Sequence, residues 1–429
     1  MSEYVTKQTF ISHRAAVASF DLSTHGSIFL NREPEILASP QDGIAWTEGP
    51  VWTPHGNDWR LLFSDTVEGS LWAWNAVEGL KRLRHYAGGC SEGDEEGAQG
   101  PGRRALRLTK HEESLRAQFG ASYCFRGQHE PGPNGMTLDP RTGLMVLAQH
   151  GSRRVIRFDP ASDFDEPVDV LAASYDGLPL NCPNDVAISA VDGSIVFTDP
   201  YYCFLEKDRL PLGDHNYTHE RSALGFAGVY SVAAPSAVGR ADLERPTLVT
   251  NDIARPNGIH FDPDTNGVIW VSECCQGHSP QCPKAVARWH RYVPRSPGNG
   301  EPSHTRSKTI EWARPEGGGG CADGFVVLRQ PPEDNGKGAM TYRAPLLVAS
   351  CPLGVCVVDT GRTHQPVVEY VPFGKFRVSN IAFDGNGSMY ATGEGHVWRL
   401  KLSPEIAVGN GTLTRSRAYD FETGAFRYL

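Results

Sequence analysis

Six oxygen-bearing residues stand at the heads of six short apolar runs: Glu48, Asn134, Asn184, Asn257, Asp323 and Asn380. Every one carries a carboxylate or amide oxygen, and no lysine, arginine, histidine or cysteine takes any of these places. A single Asn-Gly or Asp-Gly is a turn former, and turn shaping is the competing reading for each head taken alone. It does not explain Glu48, for which a turn has no use. If the heads face one another, burial without a partner would be costly for all of them. A hard cation meets that demand. Calcium takes six to eight oxygen ligands, and two carboxylates in the set balance a divalent charge. Magnesium and manganese are alternatives, while zinc is the poorest match because it favours histidine and cysteine.

What could make six heads face one another is a repeat. After each head comes a short apolar strand, a turn, a second apolar strand and usually a third. Glu48-Gly-Pro-Val-Trp leads to LLFSD and SLWAWN; Asn134-Gly-Met-Thr-Leu leads to LMVLAQ and RRVIRFD. Asn184-Asp-Val-Ala-Ile leads to SIVFTD and GVYSV; Asn257-Gly-Ile-His-Phe leads to VIWVSE and VARWHRY. Asp323-Gly-Phe-Val-Val-Leu leads to PLLVAS and GVCVVD, and Asn380-Ile-Ala-Phe leads to SMYATG and HVWRLKL. Asp-Gly, Asp-Pro-x-x-Gly and Asn-Gly between the strands are hairpin chemistry, and the strands are filled with β-branched and aromatic residues.

Successive heads lie 50 to 86 residues apart, at or above the roughly 40–50 residues of a bare propeller blade. The repeat therefore predicts an all-β, six-bladed β-propeller, a single domain over 1–429, whose innermost strands bring the heads to one axis. Blades fall near 46–90, 128–175, 180–250, 253–315, 320–372 and 377–402. Insertions occupy 91–127, 200–227 and 329–343, and the stretch 27–38 is placed to close the ring against the last blade. Two packed β-sandwiches are the competing arrangement. A helical solenoid is excluded, because no long 3.6-residue periodicity accompanies the repeat.

The bulk properties narrow the partners. A net charge of −9 argues against nucleic acid or an anionic membrane surface. No run approaches the ~18–20 apolar residues of a membrane span, and the first twenty residues lack the apolar core of a signal peptide. The expectation is cytoplasmic residence, with the ten cysteines kept as thiols by a reducing compartment. Cys274, Cys275 and Cys282 are the tightest group, but a structural zinc there would lack a fourth ligand and CxxC spacing. Oligomeric state leaves no trace in the sequence.

The ordered motifs carry a resemblance. EGPVW with LLFSD, Pro133-Asn-Gly-Met-Thr-Leu-Asp, Pro183-Asn-Asp-Val-Ala with DGSIVFTDP, Pro256-Asn-Gly-Ile and Ala322-Asp-Gly-Phe resemble the SMP-30/gluconolactonase/luciferin-regenerating-enzyme family. That resemblance covers about residues 46 to 402. It implies one catalytic divalent ion, usually calcium, held by Glu48, Asn184, Asn257 and Asp323, and a small lactone as substrate. Asn134 matches an extra asparagine of gluconolactonase-like members and would line the site. Two departures stand out: Ala322 replaces the usual proline before the aspartate, and the tetraglycine Gly317–Gly320 precedes it.

For lactone opening, the ion would polarise the ring carbonyl and stabilise developing negative charge. Asp323, with Glu48, is the candidate catalytic carboxylate, as general base or as the group that orients water. His150, Arg154, Tyr201 and His129 are the further candidate substrate contacts. Arg153, Tyr202 and Phe204 are weaker ones, and His260 reads as a packed strand residue. The competing reading is an outer-strand salt bridge for His150, Arg153 and Arg154, an ordinary loop histidine for His129, and solvated loop decoration for the aromatic residues. Competing functions on the same scaffold are phosphotriester hydrolysis, which Ala382 disfavours because phosphotriesterase-like relatives carry a histidine there, a metal-free natural-product synthase, and a non-catalytic binding propeller.

Overall fold

The computed structural model describes residues 27–55, 58–85, 87–89, 130–160, 168–204, 222–234, 245–276, 285–296, 301–313, 321–330 and 343–403, together with short paired strands at 333–334, 340–341 and within 406–428. The insertion 91–127, His129 and most of the insertions 200–227 and 329–343 lie outside the described residues.

Among the described residues, six four-stranded antiparallel sheets follow one another along the chain. Their innermost strands begin at Thr47, Met136, Val186, Pro256, Phe325 and Asn380. Each touches the innermost strand on either side, and the sixth touches the first. The molecule is a six-bladed β-propeller. Its head residues stand within two residues of the start of these strands, around the axis.

Each blade follows the polarity of its sequence. The middle strands of the fifth blade, Leu346–Cys351 and Gly354–Asp359, are apolar almost throughout and almost wholly buried, because both of their faces meet a neighbouring blade. The outer strand His304–Trp312 of the fourth blade alternates and is largely exposed. Apolar packing is accordingly concentrated between blades. Leu62, Leu71 and Leu147 fill the first interface, Phe197 and Tyr230 help fill the second, and Val271 and Tyr292 the third. Trp289 and Leu347 pack the fourth, Leu346 and Trp398 the fifth, and Phe63, Trp72 and Tyr390 the sixth. Each fully buried large side chain contributes about 1.5–3 kcal/mol, so every blade depends on both neighbours.

The ring is shut by a strand from the other end of the chain. Glu35–Ala38 forms the outer edge of the sixth blade, pairing antiparallel with His396–Lys401. Arg399 grips Glu35 at 2.7 Å across that pair, and Phe29 bridges to Leu402. On the axial side, Ser379 Oγ donates to Thr47 O at 2.7 Å, and Thr47 Oγ1 accepts the Gly393 N–H at 2.8 Å while donating to His396 O.

Two disulfides correct the expectation of free thiols. Cys182 is bonded to Cys203 and Cys274 to Cys321; Cys351 and Cys356 remain thiols, both buried. The members of each pair lie 21 and 47 residues apart in the chain, and only the folded blades bring them together. Bonding to Cys321 also removes Cys274 from any zinc site. Disulfides persist in oxidising surroundings, so one support for cytoplasmic residence is gone. Among the described residues, no helix is long and apolar enough to cross a membrane.

Thr47→Val keeps the side-chain shape and deletes the closing hydroxyl. Leaving the Gly393 N–H and the His396 carbonyl without that partner should cost about 1–3 kcal/mol, read as a lower urea midpoint.

Candidate metal centre

Three kinds of contact hold the head residues. The first acts on the loop entering the head. Asp65, which ends the second strand of the first blade, accepts the N–H groups of Ala45 and Trp46 at 2.8 and 3.1 Å, just ahead of Glu48. Asp199 does the same for Asn181 and Cys182, at 2.8 and 2.7 Å, just ahead of Asn184. Glu273 accepts the Ala254 N–H at 3.2 Å, ahead of Asn257. A carboxylate that accepts backbone N–H bonds fixes a loop more firmly than a neutral acceptor would.

The second contact links one blade to the next. The hydroxyl preceding each of those acids reaches across to the following head. Ser64 Oγ donates to Asn134 O at 2.8 Å, Thr198 Oγ1 to Asn257 O at 2.6 Å, and Ser272 Oγ to Asp323 O at 2.7 Å. Between the second and third blades, the Gly135 N–H meets Asn184 O at 2.7 Å.

The third contact is a close approach that only glycine permits. A Cβ on Gly49 would stand 2.6 Å from Asn134 O, and one on Gly258 would stand 2.5 Å from Asp323 O. Gly135 faces the Asp185 side chain and Gly324 faces that of Asn380. The glycine after a head is therefore needed for space beside the next blade. Of these four only Gly49 has a positive φ, +50°, so turn shaping does not account for the pattern.

Electrostatically the axis is acidic. Burial pushes the Glu48 carboxyl up to about 8, and the nearby charges of Asp185 and Glu130 push the same way. Burial lifts Asp185 to about 7 even though it accepts N–H bonds from Ile259 and Val186. Asp323 is held well above the usual carboxylate range, first by burial and then by Glu48, Asp185 and Glu130. Four acids from four segments thus act on one another at one end of the channel. Like charges gathered in a low-dielectric site are unfavourable until protons or a cation neutralise them. Oxygen donors of this kind fit a hard divalent ion such as calcium. Glu48, Asn134, Asn184 and Asn257 are buried and Asp323 half-buried. The amide oxygen of Asn380 accepts its neighbour Ile381's N–H at 2.8 Å, which leaves it the least available head.

His150, Arg153 and Tyr201 gather around the loop entering Asn184. His150 is fully buried; its Nδ1 donates to Pro183 O at 3.1 Å and its Nε2 lies 3.3 Å from Glu130. Because a carbonyl can only accept, Nδ1 carries a proton. Arg153 Nε donates to Leu180 O and Asn181 O at 2.7 and 2.9 Å. Arg154 Nε is bonded to Gln149 Oε1. Tyr201 packs with Cys182, Cys203, Phe204 and Ala227 in a small apolar cluster, and Arg153 stacks over Phe204 at 5.2 Å. His260 lies on the inner strand of the fourth blade; its Nδ1 donates to Phe261 O at 2.8 Å, and burial lowers its basicity.

Two acidic neighbours of the site escape motif reading, Asp185 and Glu130. Asp185 could have been noticed where the glycine after the head gives way to an acid. Glu130 sits outside any repeat and leaves no such signal.

These features define a closed six-bladed propeller with an acidic, oxygen-lined axial site. The chain belongs to the SMP-30/Gluconolactonase/LRE-like family, which its residues 46–274 match. Glu48, Asn134, Asn184 and Asn257 lie inside that stretch, whereas Asp323 and Asn380 lie beyond it. A gluconolactonase of Zymomonas mobilis is 29% identical over 231 residues, 54% of this chain and 49% of the relative. The chain thus spans about half the length of that curated relative. Among solved structures, the gluconolactonase XC5397 of Xanthomonas campestris aligns with a TM-score of 0.52 at 21% identity, covering 86% of this chain and 94% of its own. Another structure, assigned to the gluconolactonases, aligns with a TM-score of 0.53 at 21% identity, covering 93% and 99%. At such identity the structures speak for the fold alone.

Gly135→Ala should force the second and third blades apart where Asn184 O would lie 2.9 Å from the new Cβ. A loss of about 1–3 kcal/mol is expected, the usual range for overpacking, measured by urea unfolding.

The pH dependence follows from the raised carboxyls. In the folded chain Glu48 and Asp185 keep protons up to about 8 and 7, whereas their ordinary values are 4.5 and 3.8. The folded state then binds more protons, so stability is full below the ordinary values and is lost as pH rises through the raised ones. Melting temperature in EDTA should fall between about pH 5 and pH 8, and saturating calcium should abolish that fall by favouring the ionised carboxylates. Parallel melts with and without calcium across this range test it.

Proposed function

We propose that the chain is a divalent-cation-dependent lactonase, with calcium the preferred ion and a small lactone the substrate. The observation that carries this reading is the convergence of Glu48, Asp185 and Asp323 on one buried axis, each displaced upward by burial and the first and last also by neighbouring negative charge. Family membership and the gluconolactonase relative support the same direction.

Glu48, Asn184, Asn257 and Asp323 would hold the ion. When bound there, a divalent cation supplies Lewis-acid polarisation of an ester carbonyl. The chain's own groups supply the rest. Asp323 orients water toward the carbonyl carbon and takes up its proton. As the ring C–O bond breaks, Asp323 returns that proton to the leaving ring oxygen, giving a hydroxy acid whose carboxyl releases its proton to solvent near neutral pH. Asn134, beside Glu48 through the Gly49 contact, offers an amide to a substrate oxygen. His150, with Nδ1 committed to Pro183 O, presents Nε2 and Glu130 toward the same region. Tyr201 contributes to an apolar wall beside Asn184. Arg154 has the weakest claim of these, because its Nε is committed to Gln149.

The test is proton release in a pH-stat assay on gluconolactone-type and other small lactones, before and after chelation. Activity should fall at least about 100-fold in EDTA and return with calcium. Glu48→Gln and Asp323→Asn should each lose at least about 100-fold, since removing a mere support of a ligand already costs about 10- to 100-fold and these two are ligands themselves. Unchanged turnover in EDTA would remove the metal from the reaction. Calcium binding by calorimetry with no turnover on any lactone would leave a binding propeller.

A further inference from the structure

The clamps on the entering loops follow a rule with one exception. In the first, third and fourth blades, the residue after the strand hydroxyl is an acid: Ser64-Asp65, Thr198-Asp199 and Ser272-Glu273. Each acid takes backbone N–H groups two or three residues ahead of its own head: Ala45 and Trp46 before Glu48, Asn181 and Cys182 before Asn184, Ala254 before Asn257. These blades carry three of the four proposed ion ligands. The second and sixth blades, whose heads are outside that set, have Gln149 and Gly393 at the clamp position.

The fifth blade carries the fourth ligand, Asp323, and lacks the acid. Its strand hydroxyl is in place, with Ser350 Oγ accepting the Asp323 N–H at 3.0 Å. The next residue, however, is Cys351, a buried thiol in contact with Gly354 O at 3.5 Å. The loop that enters this head follows the tetraglycine Gly317–Gly320 in the sequence. Cys321 lies two residues ahead of Asp323, the same offset as Trp46 from Glu48 and Cys182 from Asn184. It is bonded to Cys274, the residue after the fourth blade's clamp acid.

We propose that the Cys274–Cys321 disulfide replaces the missing carboxylate clamp and is the positioning device for Asp323, so that the ion affinity of the axial site depends on this bond being oxidised. The inference rests on the metal reading above. A dithiol reductant would open the bond by exchange: the dithiol closes to its own disulfide, its two protons end on the sulfurs of Cys274 and Cys321, and the entering loop loses its anchor. The other disulfide has a different standing. Cys182 also lies two residues ahead of a head, but Asp199 already clamps that loop, so Cys182–Cys203 is a second fastening.

The experiment is calorimetric calcium titration of the full chain, oxidised and after dithiothreitol, alongside Cys274→Ser/Cys321→Ser and Cys182→Ser/Cys203→Ser, with melting of the calcium-free proteins as a fold control. Loss of an outer support typically costs 10- to 100-fold in metal affinity. Reduction of the native chain and the Cys274→Ser/Cys321→Ser change should therefore each weaken calcium binding at least about tenfold, with the calcium-free protein still melting cooperatively. The Cys182→Ser/Cys203→Ser pair should shift it less than about threefold. Adding Cys351→Asp to Cys274→Ser/Cys321→Ser restores a carboxylate at the clamp position and should recover affinity, now insensitive to reductant. Equal affinity in the Cys274→Ser/Cys321→Ser chain, or equal losses in the two disulfide variants, would overturn the inference and leave the metal reading standing. No calcium binding by the oxidised native chain would overturn both.

Discussion

The arrangement turns on the burial of acids that repel one another at the mouth of a channel. Glu48, Asp185 and Asp323 come from three blades, and Glu130 comes from the segment leading into a fourth. Burial raises the carboxyls of the first three, and the charges around Glu48 and Asp323 raise theirs further. Left to itself, such a cluster would push the blades apart or hold protons. A cation that satisfies it turns the same repulsion into a ligand set. Much of the surrounding architecture is a means of keeping those oxygens in place against their own electrostatics.

That task falls on two different scales of structure. Six apolar interfaces between blades set the gross geometry, since among the described residues each large apolar cluster is shared by two blades. At the axis the work passes to polar contacts: carboxylates that catch the entering loops, hydroxyls that reach the next head, and glycines that allow neighbouring backbones to approach. Each head is thus held both by its own blade and by the blade before it. Displacing one would be felt by its neighbours, and the closure of the ring through Thr47 and Ser379 extends that dependence around the whole circle.

The histidine and arginine pair of the AQHGSRR stretch illustrates how a chemically suggestive motif can be mostly architectural. The Nδ1 of His150 and the Nε of Arg153 are used on the carbonyls of residues 180–183, steadying the approach to Asn184. The other face of His150 lies against Glu130. The cysteines went the opposite way. Scattered through the sequence, they looked incidental, yet two pairs meet close to the heads.

By itself the sequence determined the repeat, the six heads and the all-β propeller, because strand alternation and turn chemistry are local and recur at a readable period. The family resemblance was likewise legible, since its motifs are contiguous. Only the tertiary structure decided which acids meet, which cysteines bond and why a glycine follows a head. Asp185 faces Glu48, Cys274 reaches Cys321, and Gly258 backs onto Asp323 across separations of 47 to 137 residues. Such contacts depend on how blades close around an axis, and no local pattern encodes the distance between one blade and the next.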